Sequence, residues 1–487
     1  MARKSGVPLF FTGGFYQTRS KSLSDQNCVN WYTNIPEGNT PTEENLYATD
    51  GISLEDAAPS IPIGTAKEKC RGAKSMSGIP YFVCGQKLYR LNRTVTLGVE
   101  TLAREDLGAI TGFGRVSIAT NGTQLCIVVP GVEAYIYSAA GGLTTITDGD
   151  FDGPADTVVF INGYFVFNKT GTQKIIHSEL LDGSSYRTLD AADAEADPDE
   201  LVAMHVYKNQ LYAFGTETVQ PFNDVGNVDF TFDAVPNAAL DIGLRAKFAI
   251  AEFVESIVFL GEGGGRGLGV YLYSGGAPQK ISTEALDDVL EQFTDTELSE
   301  AYIITYSKRG ADFAALTVNN RTFVFDLAAT RMIGWKRKVW HERSSRVDGT
   351  DLQWRVSAIT RAYNRLFVGD SFDGRIGRID SQSGNEYGDT VVRICTTQPF
   401  ENAGTPARVS KLQISADTGE GESIGISYSD NNGQFTNKIF KNLGAIGDYG
   451  RLCIFRRLGR FTKSRELRLH YAGDNPVGIN KIEVFPK

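Results

Sequence analysis

What most constrains this chain is a unit that recurs along it: an apolar run, a polar turn and a second apolar run. The plainest copy is LVAMHVYKNQLYAFGTETVQPFND at residues 201–224. Its three runs of β-branched, aromatic and aliphatic residues are separated by Lys208-Asn209 and by a turn containing Gly215, residues that tolerate the backbone angles of a tight reversal. A lone meander cannot bury its faces and has to stack on copies of itself. The pattern recurs at 79–91, 124–138, 157–178, 202–224, 256–281, 312–337 and 356–380. Its starts lie about 33 to 56 residues apart, around the length of a four-stranded propeller blade. A sandwich of seven serial repeats would need long crossovers that the short turns do not supply. The fold class expected is all-β: a six- or seven-bladed β-propeller over residues 61–385, with the blade at the join able to draw strands from both ends.

One stretch breaks the pattern. In STEALDDVLEQFTDTELSEAYI, residues 282–303, Leu286, Val289, Leu290 and Phe293 fall at helical spacing, with Ser282 or Thr283 as N-cap, which predicts one short inserted helix on the surface of a blade. After Asp380 comes the polar linker SQSGNEYGD, and residues 386–487 carry alternating strands (KLQISA, SIGISYS, ELRLHY, NKIEVF) without the blade spacing. They read as a C-terminal β-sandwich-like domain. Residues 1–60 are broken up by Gly13-Gly14, Pro36, Gly38 and Pro41. They read as an extended segment docking on the propeller or a neighbouring subunit, with CVNWY at 28–32 as a donated strand.

Composition excludes several functions. A formal charge of −9 argues against gripping nucleic acid over the whole surface, though an acidic wall would let a duplex slide past. The six cysteines (Cys28, Cys70, Cys84, Cys126, Cys395, Cys453) lack metal-ligand spacing and several sit in apolar runs, so buried free thiols in a reducing cytoplasm are expected. No run is long enough for a membrane span, and the N-terminus lacks a signal-peptide core.

Several stretches, in order along the chain, resemble the tail hub or nozzle proteins of short-tailed bacteriophages, also called packaged-DNA stabilisation proteins. They are DQNCVNWYTNIPEG with NLYATDGISL, then YFVCGQKLYRL, GFGRVSIATNG, TDGDFDGPADTVVFINGYFVF, AEADPDELVAMHVYKNQLYAFGTETVQPF and APQKISTEALDDVL, and finally FRRLGRFTKSRELRLHY with GINKIEVFP. One departure is Gln220, where the family pattern has Glu after the Thr-Val pair, so a subunit contact through that carboxylate is not carried over. The resemblance implies a virion protein assembled in the host cytoplasm. It implies a homohexameric ring below the head-to-tail adaptor, with tail fibres or spikes and a needle or plug beneath. Double-stranded DNA would pass through the channel, retained and then ejected without catalysis.

The sharpest local signal is DGDFDGPAD. Asp148, Asp150, Asp152 and Asp156 surround Gly153, a spacing at which carboxylates can converge on Ca²⁺, although Val159 stands where an EF-hand has its Glu. The alternative is an acidic turn, with no cofactor. SYSDNNGQFT, 427–436, is close to a sialidase Asp-box turn but has Asn431 and Thr436 at two key positions, which favours a hairpin held by side-chain to backbone bonds. GEGGGRGLG, 261–269, has no following helix and reads as a hairpin loop rather than a phosphate cradle. Arg456, Arg457, Arg460, Lys463 and Arg465, and separately WKRKVWHER at 335–343, are candidates to face DNA or another subunit, against solvated charge. Four histidines (His177, His205, His341, His470) lie in strand-like contexts, and GESIG at 421–425 lacks the strand-Ser-helix context of a nucleophile elbow. The competing reading is a carbohydrate-binding or glycan-cleaving propeller.

Overall fold

In the computed structural model the seven predicted repeats become seven sheets around one axis. The structure describes residues 6–9, 14–19, 24–36, 38, 44–56, 68–194 and 199–486. Blade 1 is Cys70–Met76, Ile79–Cys84, Lys87–Thr96 and Val99–Ala109, paired antiparallel in chain order. Blade 2 spans Ser117–Thr120 to Gly142–Thr145, blade 3 Ala155–Ile161 to Ala191–Asp193, and blade 4 Leu201–Tyr207 to Phe232–Ala234. Blade 5 runs from Ile250–Phe253 to Gln279–Lys280, with Gly243–Leu244 as an added strand, and blade 6 from Tyr302–Lys308 to Val339–Val347. The hairpin at Lys208 and Asn209 shows why these turns work: φ is +47° and +61°, the two successive positive values a tight hairpin turn requires.

The first strand of each blade lies beside the first strand of the next, and that of blade 7 lies beside blade 1, so the inner strands close a ring. The second strands are nearly all apolar, QLCIVV at Gln124–Val129 for example, because both faces of a blade are covered by its neighbours. Each junction between blades holds its own buried cluster, and the last one packs Cys70 and Phe82 of blade 1 against Ala358 and Phe367 of blade 7.

Blade 7 is where the ring is closed. Its own strands are Val356–Ala362, Arg365–Asp370 and Ile376–Asp380, and its outer strand is Gly51–Asp56 from near the start of the chain, with Ile379 opposite Ile52. Ile52 is 1% exposed in the cluster between blades 6 and 7. The fold is thus seven-bladed, with the join drawn from two distant parts of the sequence.

The C-terminal region is a β-sandwich. One sheet orders Cys453–Arg456, Ala407–Ala416, Gly478–Pro486, Asn45–Ala48 and Trp31–Asn34. The other includes Arg393–Thr396, Ser464–Tyr471, Ser423–Asp430 and Ile439–Asn442. Segment 1–60 therefore supplies strands to both the propeller and the sandwich of its own chain. Cys28–Val29 pairs with Arg393–Thr396 on one side and with blade 6 on the other, so a single sheet runs from propeller into sandwich.

Three short helices occur among the described residues, where the sequence predicts one. Helix α1, Glu284–Leu290, starts at Thr283, whose side chain accepts from the Leu286 amide, and buries Leu286 and Leu290. The predicted helix stops there because Thr294 and Glu297 form a capping box that begins α2, Asp295–Ser299. Helix α3, Leu327–Ile333, is capped by Asp326 and lies inside the run assigned to blade 6. Its LAATRMI segment is apolar enough to pass for strand.

Candidate functional site

The elements that bear on function are the ring closure, the seam to the sandwich and the charged loops. At the seam, Asn30 is fully buried with φ +56°. Its side-chain amide donates to the carbonyls of Ser344 (3.0 Å) and Val392 (2.8 Å) and accepts from the Ser344 amide (3.0 Å). One side chain thus ties the N-terminal segment to blade 6 and the start of the sandwich. The seam and blade 7 also hold five buried charges, Arg343, Arg355, Asp370, Glu386 and Arg393, of which the sequence reading singled out only Arg343, within WKRKVWHER. Arg355 pairs with Asp370 at 2.9 Å, both within 1% of full burial, and Arg343 lies 3.7 Å from Glu386. Arg393, also buried, donates to the Gly384 carbonyl at 2.6 Å. Burial pushes the Asp370 carboxyl up while Arg355 pulls it back. The available signal was an Arg inside an apolar run, as in QWRVSAI and VVRICTT; such a charge persists in a core only when paired or hydrogen-bonded.

The aspartates of the 148–156 turn are drawn to different partners. Asp148 accepts from the amides of Asp150 (2.9 Å) and Tyr186 (3.1 Å), and Asp150 accepts from the Thr188 hydroxyl. Asp152 takes the ammonium groups of Lys169 (2.5 Å) and Lys174 (2.7 Å), which hold its carboxyl below the usual range. Asp156 pairs with Lys247 at 2.7 Å. A carboxylate already compensated by two ammonium groups is a poor Ca²⁺ ligand, and Ca²⁺ wants six or more oxygens at once. Among the described residues no group of three or more His, Cys, Asp or Glu side chains could hold a metal ion.

The basic cluster divides. Arg465 is 3% exposed, makes a two-point ion pair with Asp430 (2.6 and 2.8 Å), donates to the Leu458 carbonyl and lies over the Tyr428 ring. It is an internal strut. Arg456, Arg457, Arg460 and Lys463 are exposed. Arg456 sits opposite Lys411 and Arg460 opposite Arg408 across neighbouring strands, like-charge pairings that repel one another. In WKRKVWHER, Trp335, Lys336 and Arg337 are exposed while 339–343 are buried in blade 6.

The remaining motifs are structural in their contacts. Ser429 donates to the Gly433 carbonyl at 2.8 Å, and Asn431 accepts from the amides of Lys463 and Ser464, so the Asp-box-like turn braces the basic turn. Gly264, φ +58°, turns a hairpin of blade 5 and donates to Glu217. The segment DAADAEADPDE, residues 190–200, is an acidic loop, of which residues 195–198 lie outside the described residues. Asp190 is buried beside His177 and Arg187, and Asp199 accepts from the amides of Glu217 and Thr218. His177 donates to the Ser178 carbonyl and stacks on Phe230. His205 and His341 are brought down to about 4 and about 3 by burial. His470 is 2.8 Å from the Ser427 hydroxyl, but its buried Nδ1 has no partner among the described residues, the position where a triad needs a carboxylate. Ser423 of GESIG opens a strand.

A profile described as "Bacteriophage P22 Gp10, beta-propeller" matches residues 7–384, and one described as "Bacteriophage P22 Gp10, beta-sandwich" matches 392–485. The chain belongs to the P22 Gp10 family. The gap between the two Gp10 profiles falls on the seam that holds Glu386 and Val391. Among curated proteins, the tail hub protein gp10 of Salmonella phage P22 is 19% identical over 426 residues, covering 83% of this chain and 84% of its own. Solved structures give weaker likenesses. A chain of a mitotic checkpoint complex has a TM-score of 0.39 at 11% identity, covering 71% of this chain and 97% of its own. An exo-β-1,3-galactanase from Phanerochaete chrysosporium has 0.28 at 10%, covering 81% and 100%. Neither likeness bears on what a Gp10-family chain does.

Proposed function

We propose that this chain is a structural tail hub of a short-tailed phage. In this reading it forms a homohexameric nozzle below the head-to-tail adaptor, meets fibres or spikes and a needle or plug, and forms and gates the channel that retains and then ejects the packaged DNA. The observation that carries the proposal is the match of both Gp10 profiles, in order, over nearly the whole chain. The sheet shared by blade 6 and the sandwich supports it physically, because a ring under pressure from packaged DNA needs protomers that do not hinge.

Gating is steric and electrostatic. An acidic lining would keep DNA from sticking until a distal plug leaves, with the net charge of −9 as its basis. Among the described residues of the acidic loop 190–200, Asp193 and Glu200 are the exposed carboxylates to neutralise in a test, because Asp190 and Asp199 hold the local fold. Light scattering and negative-stain imaging of the chain, alone and mixed with its adaptor, are the deciding experiment. Six-fold rings with an open centre are expected, and the adaptor can act as template for a chain that is monomeric alone. A chain that stays monomeric on the adaptor, or that turns over a glycan, overturns the proposal.

A further inference from the structure

On one face of the propeller, residues from blades 1, 2, 5, 6 and 7 surround a cavity of about 480 Å³. Its charge is one-sided. Lys69, Arg71, Arg115 and Lys247 contribute to the lining, and the one carboxylate there among the described residues, Glu300, is exposed at the end of α2. Lys247 is compensated by Asp156 at 2.7 Å. Arg71 is 1% exposed and spends its N–H groups on the carbonyls of Gly114 (2.6 Å), Gly85 (3.0 Å) and Thr111 (2.8 Å). These carbonyls fix the guanidinium in place but do not cancel its charge.

Arg115 differs. Its guanidinium lies over the Tyr302 ring at 3.9 Å and near the Phe248 ring at 5.5 Å. It makes no ion pair among the described residues, and its Nε is inaccessible and without a hydrogen-bond partner. Burial of part of the side chain pushes its pKa down, while the residue as a whole keeps partial access to solvent. Stacking holds the face of a guanidinium and leaves its planar edge for a two-point contact with an oxyanion. Beside this cationic floor, Phe113 and Val132 are large apolar residues left 48% and 58% exposed.

We infer that this cavity is a docking site for an acidic residue flanked by apolar residues on an extended segment of a partner protein, with Arg115 receiving the carboxylate. A free inorganic anion would use the cations and leave the apolar rim uncovered. The volume is also in the range of pockets that enclose a ligand of several groups. The inference does not depend on ring formation.

The test is a titration of the purified full chain, followed by calorimetry, with the probe peptides acetyl-Leu-Glu-Phe amide and acetyl-Leu-Gln-Phe amide and with inorganic phosphate. The Glu peptide is expected to bind saturably and at least tenfold more tightly than the Gln peptide, a difference of about 1.4 kcal/mol. Arg115→Gln should erase that difference and Arg115→Lys should retain part of it. The contrast between peptides on the unaltered chain stands even if a variant folds poorly. Equal binding of the two peptides, no saturable binding, or phosphate binding as tightly as the Glu peptide would each overturn the inference.

Discussion

Releasing the strand that closes the ring is the most informative perturbation. Ile52 sits at 1% exposure in Gly51–Asp56, opposite Ile379, whereas Leu54 in the same strand is 47% exposed. Truncating a buried Ile to Ala removes its transfer energy and leaves a cavity, about 2 to 5 kcal/mol in all. At about 3 kcal/mol the population of chains with this strand detached rises on the order of a hundredfold, at tenfold per 1.4 kcal/mol. Hydrogen-exchange mass spectrometry reads this locally. In Ile52→Ala, amides of Gly51–Asp56 and Ile376–Asp380 should exchange on the order of a hundred times faster, with Tyr164–Lys169 of blade 3 unchanged. Leu54→Ala should stay within about 0.5 kcal/mol of wild type. Equal acceleration in blade 3 would mean that the whole propeller opens at once. Equal effects of the two variants would mean that burial in the closing strand is not what holds the ring. Either result refutes the reasoning.

Four further outcomes are expected. Asp326, buried as the N-cap of α3, has its pKa raised to about 7. The protonated native state is therefore favoured at low pH, and that contribution is lost as pH rises from about 4 through 7, up to roughly 4 kcal/mol at 1.36 kcal/mol per unit. Asp326→Asn, which keeps the capping acceptor, should gain stability relative to wild type between pH 4 and pH 8, and a melting difference that is flat with pH would count against this. Arg355→Leu leaves Asp370 buried without its partner and should cost about 3 to 5 kcal/mol in denaturant unfolding, with the double change to Leu at both positions costing less. Replacing Arg456 and Arg460 together by Ala should leave stability within about 0.5 kcal/mol but weaken any retention on DNA at low salt; unchanged retention removes the DNA-facing assignment. All six cysteines are buried and free, so a thiol reagent should label none in the native chain and six after unfolding; rapid native labelling would contradict the packing.

The blades were legible because a strand buried on both faces must be almost wholly apolar, as in QLCIVV, and because tight hairpins must carry residues such as Asn209 that accept positive φ. The family likeness was legible for the same reason, since its stretches are the strands and turns that build the blades. The inserted helix was legible only up to Leu290, because the capping box at Thr294 was read as a continuation. Helix α3 was missed because an apolar run of that length fits strand and helix alike. The four aspartates of DGDFDGPAD looked like one site, yet Lys169, Lys174 and Lys247 reach them from other parts of the fold.

By itself, the sequence determined that this chain is a serial stack of β-meanders followed by a second β domain, since hydrophobic period and turn chemistry are local properties. Only the tertiary structure decided how the stack ends. The seventh blade takes its outer strand from residues 51–56, and the sandwich takes Cys28–Val29 against Arg393–Thr396 and Asn45–Ala48 against Gly478–Pro486. Such pairings join hydrogen-bonding edges more than 300 residues apart, and an edge carries no mark in the sequence of which partner will cover it. The same holds for charge: Arg465, Arg456 and Arg115 read alike as letters, and burial, partner and ring stacking make one a strut, one a surface charge and one an unpaired cation in a cavity.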